Sequence, residues 1–411
     1  LATTLANYCY YSMFRDCTSL TESPQLPATK LAYYCYEHMF YNCTNLTKVP
    51  SILPATTLTY YCYDRMFYGC KSLTKAPQLN ATTLANGCCR EMFYNCTSLT
   101  EAPELLATTL AISGYTSMFY GCTSLTEAPQ LPATTLADYC YRNMFYNCKS
   151  LTKAPQLPAT TLAKECYYWM FYDCISLTEA PELPATTLAS NCYSYMFHYC
   201  TSLIEAPELP ATTLANYCYQ SMFEGCTSLT AAPQLQATTL TTFCYFYMFK
   251  GCTSLTTAPE LPATTLADYC YTSMFEGCRK LNKITMLATN ISGARCLSNW
   301  VEGVSSTGTF VKNPSMTSLP TGDSGIPSGW TVYNAGDANE PERPEVEIPE
   351  VELPQVAGDV AYYTNGEMEL AKKWGFVASD ANSEYGLWAM GLLYFKEDNY
   401  SESQKYFSRI L

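Results

Sequence analysis

The chain has 411 residues, of which 48% are hydrophobic, and a formal net charge of −13. Up to Met286 there are 15 basic and 19 acidic residues, and beyond it there are 8 basic and 17 acidic ones. Acidic residues outnumber basic ones in both parts, and the sequence has no cluster of basic residues of the kind that binds nucleic acid. We therefore expect no nucleic-acid partner. No apolar run approaches the roughly 20 residues of a membrane-spanning helix, so we also expect no transmembrane segment.

The dipeptide Met-Phe recurs eleven times, and a Cys lies four residues after each Met. Successive copies are 26 residues apart, except for one step of 27 between Met39 and Met66. A constant period between about 20 and 50 residues is typical of a solenoid, in which each coil buries its apolar face against its neighbours. The sequence therefore predicts an eleven-repeat solenoid over residues 1–286. The dipeptides begin at Met13, Met39, Met66, Met92, Met118, Met144, Met170, Met196, Met222, Met248 and Met274.

Each repeat is predicted to contain one short helix and two short strands. In the sixth repeat Cys140, Met144 and Cys148 lie four residues apart, a spacing that favours the apolar face of a helix of about three turns. Prolines keep residues 151–155 extended, and residues 134–137 form a second extended piece. The predicted fold class is an α/β repeat solenoid of the leucine-rich-repeat type, with short parallel strands stacked from coil to coil.

The position after the Leu-Thr of each repeat should form one column along the stack. This column mixes acidic and basic residues, which limits repulsion on an exposed sheet face. We therefore predict a solvated column and no carboxylate pair for acid–base catalysis. Its members are Glu22, Lys48, Lys75, Glu101, Glu127, Lys153, Glu179, Glu205, Ala231, Thr257 and Lys283.

The pattern Met-Phe-x-x-Cys-x-Ser-Leu-Thr followed by Pro, as at residues 222–233 and 248–259, resembles the BspA-like leucine-rich repeats of bacterial surface proteins. Residues 296–332, which contain Asn299-Trp300-Val301, resemble the closing module that follows such repeats in Bacteroides-type proteins. The resemblance implies an extracellular protein of the bacterial cell surface, used in adhesion or protein binding. It also implies that residues 287–333 form a C-terminal capping module. We expect any export signal to lie upstream of Leu1 or to have been removed.

The 23 cysteines have three interpretations. Two Cys eight residues apart on one helix lie about 12 Å from each other, too far for a disulfide. Gly114 replaces the first Cys of the fifth repeat while Cys122 stays, so the two do not depend on each other as partners. We therefore favour buried thiols in stacked columns, and disulfides between neighbouring coils are the alternative. No metal or cofactor is expected, because Cys-x-x-Cys is absent and only two histidines could assist.

The positions just before the Met and just after the Phe vary most among the repeats. On the predicted helix many of these residues point outward, which would give an aromatic surface suited to protein or glycan recognition. The alternative is that these aromatics pack over neighbouring coils along the outside of the stack. The candidate binding residues are Tyr11, His38, Tyr41, Tyr68, Tyr94, Trp169, Tyr195, His198 and Phe246.

Two further segments follow the capping module. Residues 334–358 alternate prolines with acidic residues, which predicts an extended, charged linker. Residues 359–411 resemble tetratricopeptide or Sel1-type helices, with Gly391, Tyr394 and Phe407 at the characteristic spacings. We expect this small all-α segment to be truncated at Leu411, and the natural protein to continue.

No arrangement of residues indicates catalysis, so the sequence predicts a non-enzymatic protein. The leading hypothesis is a surface-exposed adhesion module that binds a protein or glycan of a host or neighbouring cell through the outer face of the solenoid. The main alternative is a structural protein that self-associates into a filament or a surface layer. A bacteriophage receptor-binding module with the same repeats is a third hypothesis.

Overall fold

The structure is a computed structural model that describes residues 2–337. The chain winds into stacked coils, which we number 1 to 11 by their Met-Phe dipeptides, so that Met144 lies in coil 6. Successive coils are joined by backbone hydrogen bonds, such as that from the Phe145 N–H to the Met170 carbonyl at 2.9 Å. The prediction of a repeat solenoid with parallel pairing between coils is confirmed.

The strands are short, and all pair in parallel with the equivalent segment of the next coil. Strands β1 (Ile52–Leu53) and β2 (Gln78–Leu79) form a two-stranded sheet. Strands β3 (Thr257–Leu261), β4 (Lys283–Met286), β5 (Thr309–Lys312) and β6 (Thr331–Asn334) form a four-stranded sheet in that order. Elsewhere the same positions meet in single parallel bridges, which extends both strand tracks along the stack.

The predicted mixed-charge column is present in register. Parallel bridges join Glu22 to Lys48, Lys75 to Glu101, and Lys153 to both Glu127 and Glu179. The ion pairs along it, such as Lys153–Glu179 at 3.2 Å, have both side chains about two-thirds exposed. The column is therefore a solvated surface, and its ion pairs contribute little to stability.

The predicted three-turn helix in each coil is wrong, because residues 2–337 contain no helix. In its place, residues 137–148 of coil 6 and their equivalents form consecutive tight turns, which we call the turn segment. Every second N–H donates to the carbonyl three residues back, as Met144 does to Tyr141 at 3.1 Å. The N–H groups between them donate to the next coil, as Asn143 does to Tyr168 at 2.8 Å. A helix would leave no N–H for the neighbouring coil.

The turns require a left-handed backbone at every fourth residue. In coil 6 these residues are Tyr139, Asn143 and Asn147, with φ between 55° and 62°. This conformation favours Gly, Asn, Asp and Ser over bulkier residues. The four-residue turn also directs two residues inward and then two outward, so that Met144 and Phe145 are fully buried. A four-residue spacing of Cys and Met therefore arises without a helix.

The core consists of columns of identical side chains. Phenylalanine rings stack from Phe14 to Phe275 with centroids 5.4–5.7 Å apart and planes within 8°. A tyrosine column, which we call the inner tyrosine ladder, stacks beside it at 5.7–6.0 Å, and each member is 1% exposed. The inner tyrosine ladder comprises Tyr115, Tyr141, Tyr167, Tyr193, Tyr219, Tyr245 and Tyr271.

The stack continues past coil 11 into the segment that we predicted as a capping module. Trp300 occupies the Met position of a twelfth coil, because its backbone carbonyl accepts the Phe275 N–H at 2.8 Å, as the Met170 carbonyl accepts the Phe145 N–H. The Trp300 side chain is fully buried. The indole N–H of Trp300 donates to the Gly325 carbonyl at 2.8 Å. The indole N–H of Trp330 donates to the Ser305 carbonyl at 2.7 Å. These two bonds fasten the last coils to the stack.

No helix within residues 2–337 is long and apolar enough to cross a membrane. The predicted acidic linker lies outside the described residues except for its first four positions, and the predicted tetratricopeptide-like helices lie wholly outside them.

Candidate binding face

The turn segments present the most variable surface of the stack. In coil 6 the outward residues are Tyr139, then Arg142 and Asn143, then Tyr146 and Asn147, all of them half-buried. We call these positions in all coils the outer face. The backbone hydrogen bonds of the turn segment do not depend on the outward side chains, so these positions are free to differ between coils.

Six tyrosines form a continuous stack on the outer face, which we call the outer tyrosine ladder. Neighbouring ring centroids lie 4.3–4.5 Å apart with planes within 9°. Because the ring faces cover one another, only ring edges and hydroxyls reach solvent. The ladder comprises Tyr41, Tyr68, Tyr94, Tyr120, Tyr146 and Tyr172.

Both ends of the ladder are closed by other side chains. The Arg15 guanidinium lies over the ring of Tyr41, 4.7 Å from its centroid. His198 stacks on Tyr172 at 4.7 Å. Tyr41, Tyr68 and Tyr94, which we predicted as binding residues, thus pack against neighbouring coils, as the alternative interpretation held, and still present their edges to solvent.

His198 is far less accessible than its predicted binding role suggested. It is 7% exposed, and its Nδ1 has no hydrogen-bond partner among residues 2–337. The closest carboxylate is that of Glu224, 3.7 Å from Nδ1. Burial lowers the pKa of His198 to about 4, so the imidazole is neutral at physiological pH.

An aromatic cluster occupies the outer face of coils 7 and 8. Trp169 contacts Tyr168 at 4.8 Å and meets Tyr195 edge to face at 5.6 Å. The Arg142 guanidinium lies 5.0 Å from the centroid of the Tyr168 ring and pairs with Glu165 at 3.0 Å. The indole nitrogen of Trp169 has no hydrogen-bond partner within the described chain. The nitrogen is itself enclosed by the protein, so what this patch offers to a binding partner is its large, half-buried aromatic rings.

The backbone at Trp169 and Tyr195 is left-handed, with φ of 55° and 57°. Such a conformation is unfavourable for a bulky side chain and costs about 1–2 kcal/mol. At the same position coils 5 and 9 use the small residues Ser117 and Ser221. The fold therefore does not require aromatics here.

An ion-pair network lies on the outer face of coils 3 and 4. The Arg65 guanidinium donates two hydrogen bonds to Glu91, at 2.8 and 3.0 Å, and Arg90 donates two to Asp64. The network links neighbouring coils, and Asp64 is fully buried. The sequence analysis did not predict this network. It could have done so, because Asp64 and Arg90, like Arg65 and Glu91, carry opposite charges and are 26 residues apart, which places them in neighbouring coils.

His38 and Glu37 lie beside this network. His38 is 9% exposed, and its Nδ1 lies 3.4 Å from a carboxylate oxygen of Glu37. Burial, followed by the nearby charge of Arg65, lowers the pKa of His38 to about 4. Burial, followed by the charge of Asp64, raises the pKa of Glu37 to about 7. His38 is thus largely buried, whereas the neighbouring Tyr11 is 44% exposed.

The remaining predicted residue, Phe246, belongs to a separate group in coil 10. It contacts Tyr247 at 3.9 Å and Phe243 at 5.2 Å and is half-buried. The structure brings the predicted residues together in two groups linked by direct ring contacts, and Phe246 lies apart from both. One group comprises Tyr11, His38, Tyr41, Tyr68 and Tyr94, and the other comprises Trp169, Tyr195 and His198.

The cysteines do not form a metal site within residues 2–337, where no three His, Cys, Asp or Glu side chains converge. Every Cys is a free thiol, and all but Cys9 and Cys17 are buried. The second Cys of each coil donates to the Phe carbonyl of the preceding coil, as Cys148 does to Phe119 at 3.1 Å. The thiols therefore lie in stacked core columns, as predicted.

Known proteins match the chain in two comparisons. The family model described as "BspA type Leucine rich repeat region (6 copies)" matches residues 7–152, 115–256 and 171–300, which together span more than half of the chain. A leucine-rich repeat protein from Bacteroides ovatus ATCC 8483, solved by crystallography, shares 19% sequence identity with a TM-score of 0.30. That match covers 67% of this chain and 81% of the other. No curated protein matches the chain.

Proposed function

Because the chain belongs to the BspA-type leucine-rich repeat family, we propose that it is a non-enzymatic binding protein of the bacterial cell surface. Its partner is a protein or glycan of a host or neighbouring cell, and the outer face makes the contact. Members of this family are generally surface proteins that interact with other proteins, which supports the proposal. The role is adhesion or capture.

The observation that carries the proposal is the aromatic cluster of Trp169 and Tyr195. These residues keep an unfavourable backbone conformation where Ser117 and Ser221 satisfy the same turn. Their retention is understandable if the rings contact a partner, because aromatic side chains provide much of the binding energy at interfaces.

The non-enzymatic part of the proposal is supported by the two histidines. Both have a pKa of about 4, which makes them poor general bases at neutral pH. Each lies among aromatic rings and within 4 Å of a carboxylate. Their surroundings are consistent with packing in the stack.

The test begins with the whole chain applied to an array of glycans and purified extracellular-matrix proteins. Each ligand found is then measured by surface plasmon resonance against the double variant Trp169→Ser/Tyr195→Ser. These substitutions install the residue that other coils use, so the solenoid should stay intact. We expect binding to weaken by about 2 kcal/mol or more, the loss typical of aromatic hot spots.

The matched control is Ile204→Thr, on the strand side of the solenoid. Ile204 is 51% exposed and occupies a position where most other coils have Thr, so this change also restores the usual repeat residue. Binding should be unaffected. An equal loss in both variants, or a wild-type chain that binds nothing on the array, would contradict the proposal.

Self-association into a filament or surface layer is the second candidate function and stays a prediction. Multi-angle light scattering over a range of protein concentrations tests it, because a filament former would increase in mass with concentration.

A further inference from the structure

The two longest tyrosine columns of the described chain differ in spacing and accessibility. The outer tyrosine ladder stacks at 4.3–4.5 Å and is half-buried. The inner tyrosine ladder stacks at 5.7–6.0 Å, and its members are 1% exposed. The outer tyrosine ladder is therefore the candidate reactive column, and the inner tyrosine ladder of the same molecule is a control for it.

We propose that the outer tyrosine ladder is a site of oxidative cross-linking, in which tyrosines of neighbouring coils become joined as dityrosine. The oxidant is hydrogen peroxide acting through a haem peroxidase. The inference is independent of the proposed binding function.

Each of two phenols gives up one electron and its hydroxyl proton and becomes a phenoxyl radical. The two radicals form a carbon–carbon bond between their ortho carbons, and each ortho hydrogen then moves to the oxygen to restore the aromatic ring. Two tyrosines and one hydrogen peroxide thus give one dityrosine and two waters.

The geometry favours coupling within the ladder. The rings of Tyr94 and Tyr120 are nearly parallel, with centroids 4.3 Å apart, which places their carbons at or near van der Waals contact of about 3.5–4.0 Å. The two radicals therefore meet without a diffusive encounter, and most of the entropic cost has been met by folding.

The two long core columns should not react. The inner tyrosine ladder has wider spacing and no access to a peroxidase. The phenylalanine column has no hydroxyl to oxidise. In the outer ladder each tyrosine can join only one neighbour in a simple pair, so six tyrosines yield at most three links.

Such links would connect residues that are 26 or 27 positions apart in sequence. A cross-link of that span restricts the unfolded chain more than the folded one, as disulfides do. The middle coils of the solenoid would then unfold more slowly after oxidation, which suits a protein exposed outside the cell.

The experiment uses the whole chain at low concentration, with Cys9 and Cys17 first alkylated so that accessible thiols do not consume the oxidant. After treatment with horseradish peroxidase and hydrogen peroxide, the denatured protein is cut by proteases that cleave after Lys, Arg and Glu. Mass spectrometry should find peptide pairs from neighbouring ladder tyrosines, each lighter by two hydrogen atoms than the sum of its parts. No pair should join two members of the inner tyrosine ladder.

Two matched variants sharpen the result. The triple variant Tyr68→Phe/Tyr120→Phe/Tyr172→Phe leaves Tyr41, Tyr94 and Tyr146 without a tyrosine neighbour in the ladder and should lose the linked peptides. The double variant Tyr141→Phe/Tyr167→Phe changes only the inner ladder and should keep them at wild-type yield. Circular dichroism of each variant confirms that the solenoid is folded.

Three results would overturn the inference: no ladder links in the wild-type chain, links that form only between molecules, or links no more frequent in the ladder than at scattered exposed tyrosines such as Tyr11 and Tyr60. Each is read directly from the peptide map.

Discussion

The carboxylate of Asp64 accepts two hydrogen bonds from the guanidinium of Arg90 in the next coil, at 3.1 and 2.9 Å. The Asp64 side chain is completely buried, whereas that of Arg90 is 30% exposed. Burial raises the pKa of Asp64, and the hydrogen bonds and charge of Arg90 oppose that rise. The buried charge of Asp64 therefore depends mainly on Arg90, and the Arg65 guanidinium, 4.0 Å away, is a second and weaker partner.

Replacing Arg90 should be among the most destabilising changes on the outer face. The substitution Arg90→Met keeps the bulk of the side chain but removes both hydrogen bonds to the buried Asp64 carboxylate, which keeps only the Arg65 guanidinium at 4.0 Å. We expect a loss of about 3–5 kcal/mol in the free energy of unfolding, measured by urea denaturation. Lys75→Met is the control, since the Lys75–Glu101 pair is more than 60% exposed and should cost about 0–1 kcal/mol. Equal losses of free energy in the two variants would show that the buried Asp64–Arg90 pair contributes no more to stability than an exposed ion pair.

Thiol labelling should distinguish two classes of cysteine. In the folded protein Cys9 and Cys17 should react with a maleimide within minutes, because only these two are not buried. In denaturant without reductant all 23 cysteines should react. Burial raises the pKa of the Cys35 thiol to about 11, which slows its reaction further. Fewer labels in denaturant would reveal disulfides between coils, the alternative that the sequence left open.

Removing a buried hydroxyl from the inner tyrosine ladder should not harm the protein. The Tyr141 hydroxyl is buried and has no hydrogen-bond partner among the described residues. Tyr141→Phe should therefore leave thermal stability unchanged or raise the free energy of unfolding by about 1 kcal/mol. Tyr195→Phe is the contrasting variant, because the Tyr195 hydroxyl accepts a bond from Gln220 at 2.7 Å and its loss should cost about 1 kcal/mol. A large loss in Tyr141→Phe would indicate a bound water that links this hydroxyl to the core.

Two glycines with similar backbone angles should respond differently to alanine. Gly251 has a φ of 73°, and a Cβ there would lie 3.8 Å from its nearest neighbour. Gly251→Ala should cost about 1–2 kcal/mol, from backbone strain alone. Gly87 has a φ of 63°, and a Cβ there would lie 2.3 Å from the ring of Tyr61. Gly87→Ala should cost roughly 1–3 kcal/mol more, measured by chemical denaturation; similar costs would mean that the Tyr61 ring moves aside freely.

His198 should make stability depend on pH in a predictable direction. Its pKa is about 4 in the folded protein and 6.5 ordinarily, so between these values the unfolded chain binds more protons. The stability of the wild-type protein should gain up to about 3 kcal/mol from this residue as pH rises from 4 to 7. Glu37, with a pKa of about 7, acts in the opposite direction between pH 4.5 and 7. The informative quantity is therefore the free energy of unfolding of His198→Tyr minus that of wild type. This quantity should increase as the pH falls from 7 to 4, because only the wild type loses the contribution of His198. A quantity that does not change with pH would contradict the prediction.

The stacking of the coils was predictable because every position recurs at nearly the same interval. Once the period is known, Lys153 must lie beside Glu127 and Glu179, and the structure has them there. The helix was not predictable in the same way. Cys140, Met144 and Cys148 fit both a helical face and consecutive four-residue turns. The discriminating signal was the frequent Gly at the position of Asn147, at coils 3, 5 and 9 to 11, which favours a left-handed backbone.

The incorrectly predicted helix also explains why the positions of several tyrosines and histidines were not predicted. On a helix, Tyr141 would lie at the edge of the face formed by Cys140 and Met144, but in the turn segment it points inward beside Cys140 and belongs to the inner tyrosine ladder. The predicted outer residues did fall on the outer face. Their packing with residues 26 positions away could not be derived, because it depends on how closely the coils approach, which is why His38 and His198 are more buried than a single helix would suggest.

The turn segment also determines where this protein can change its length. One added residue in that segment would move every later side chain by one step of the four-residue cycle, so that some core rings would face solvent. The coil that is one residue longer takes its addition near Ser51, on the strand side, and the turn segments of coils 2 and 3 remain aligned. The one added residue is thus accommodated on the strand side, and we expect new loops acquired by such proteins to emerge from that edge.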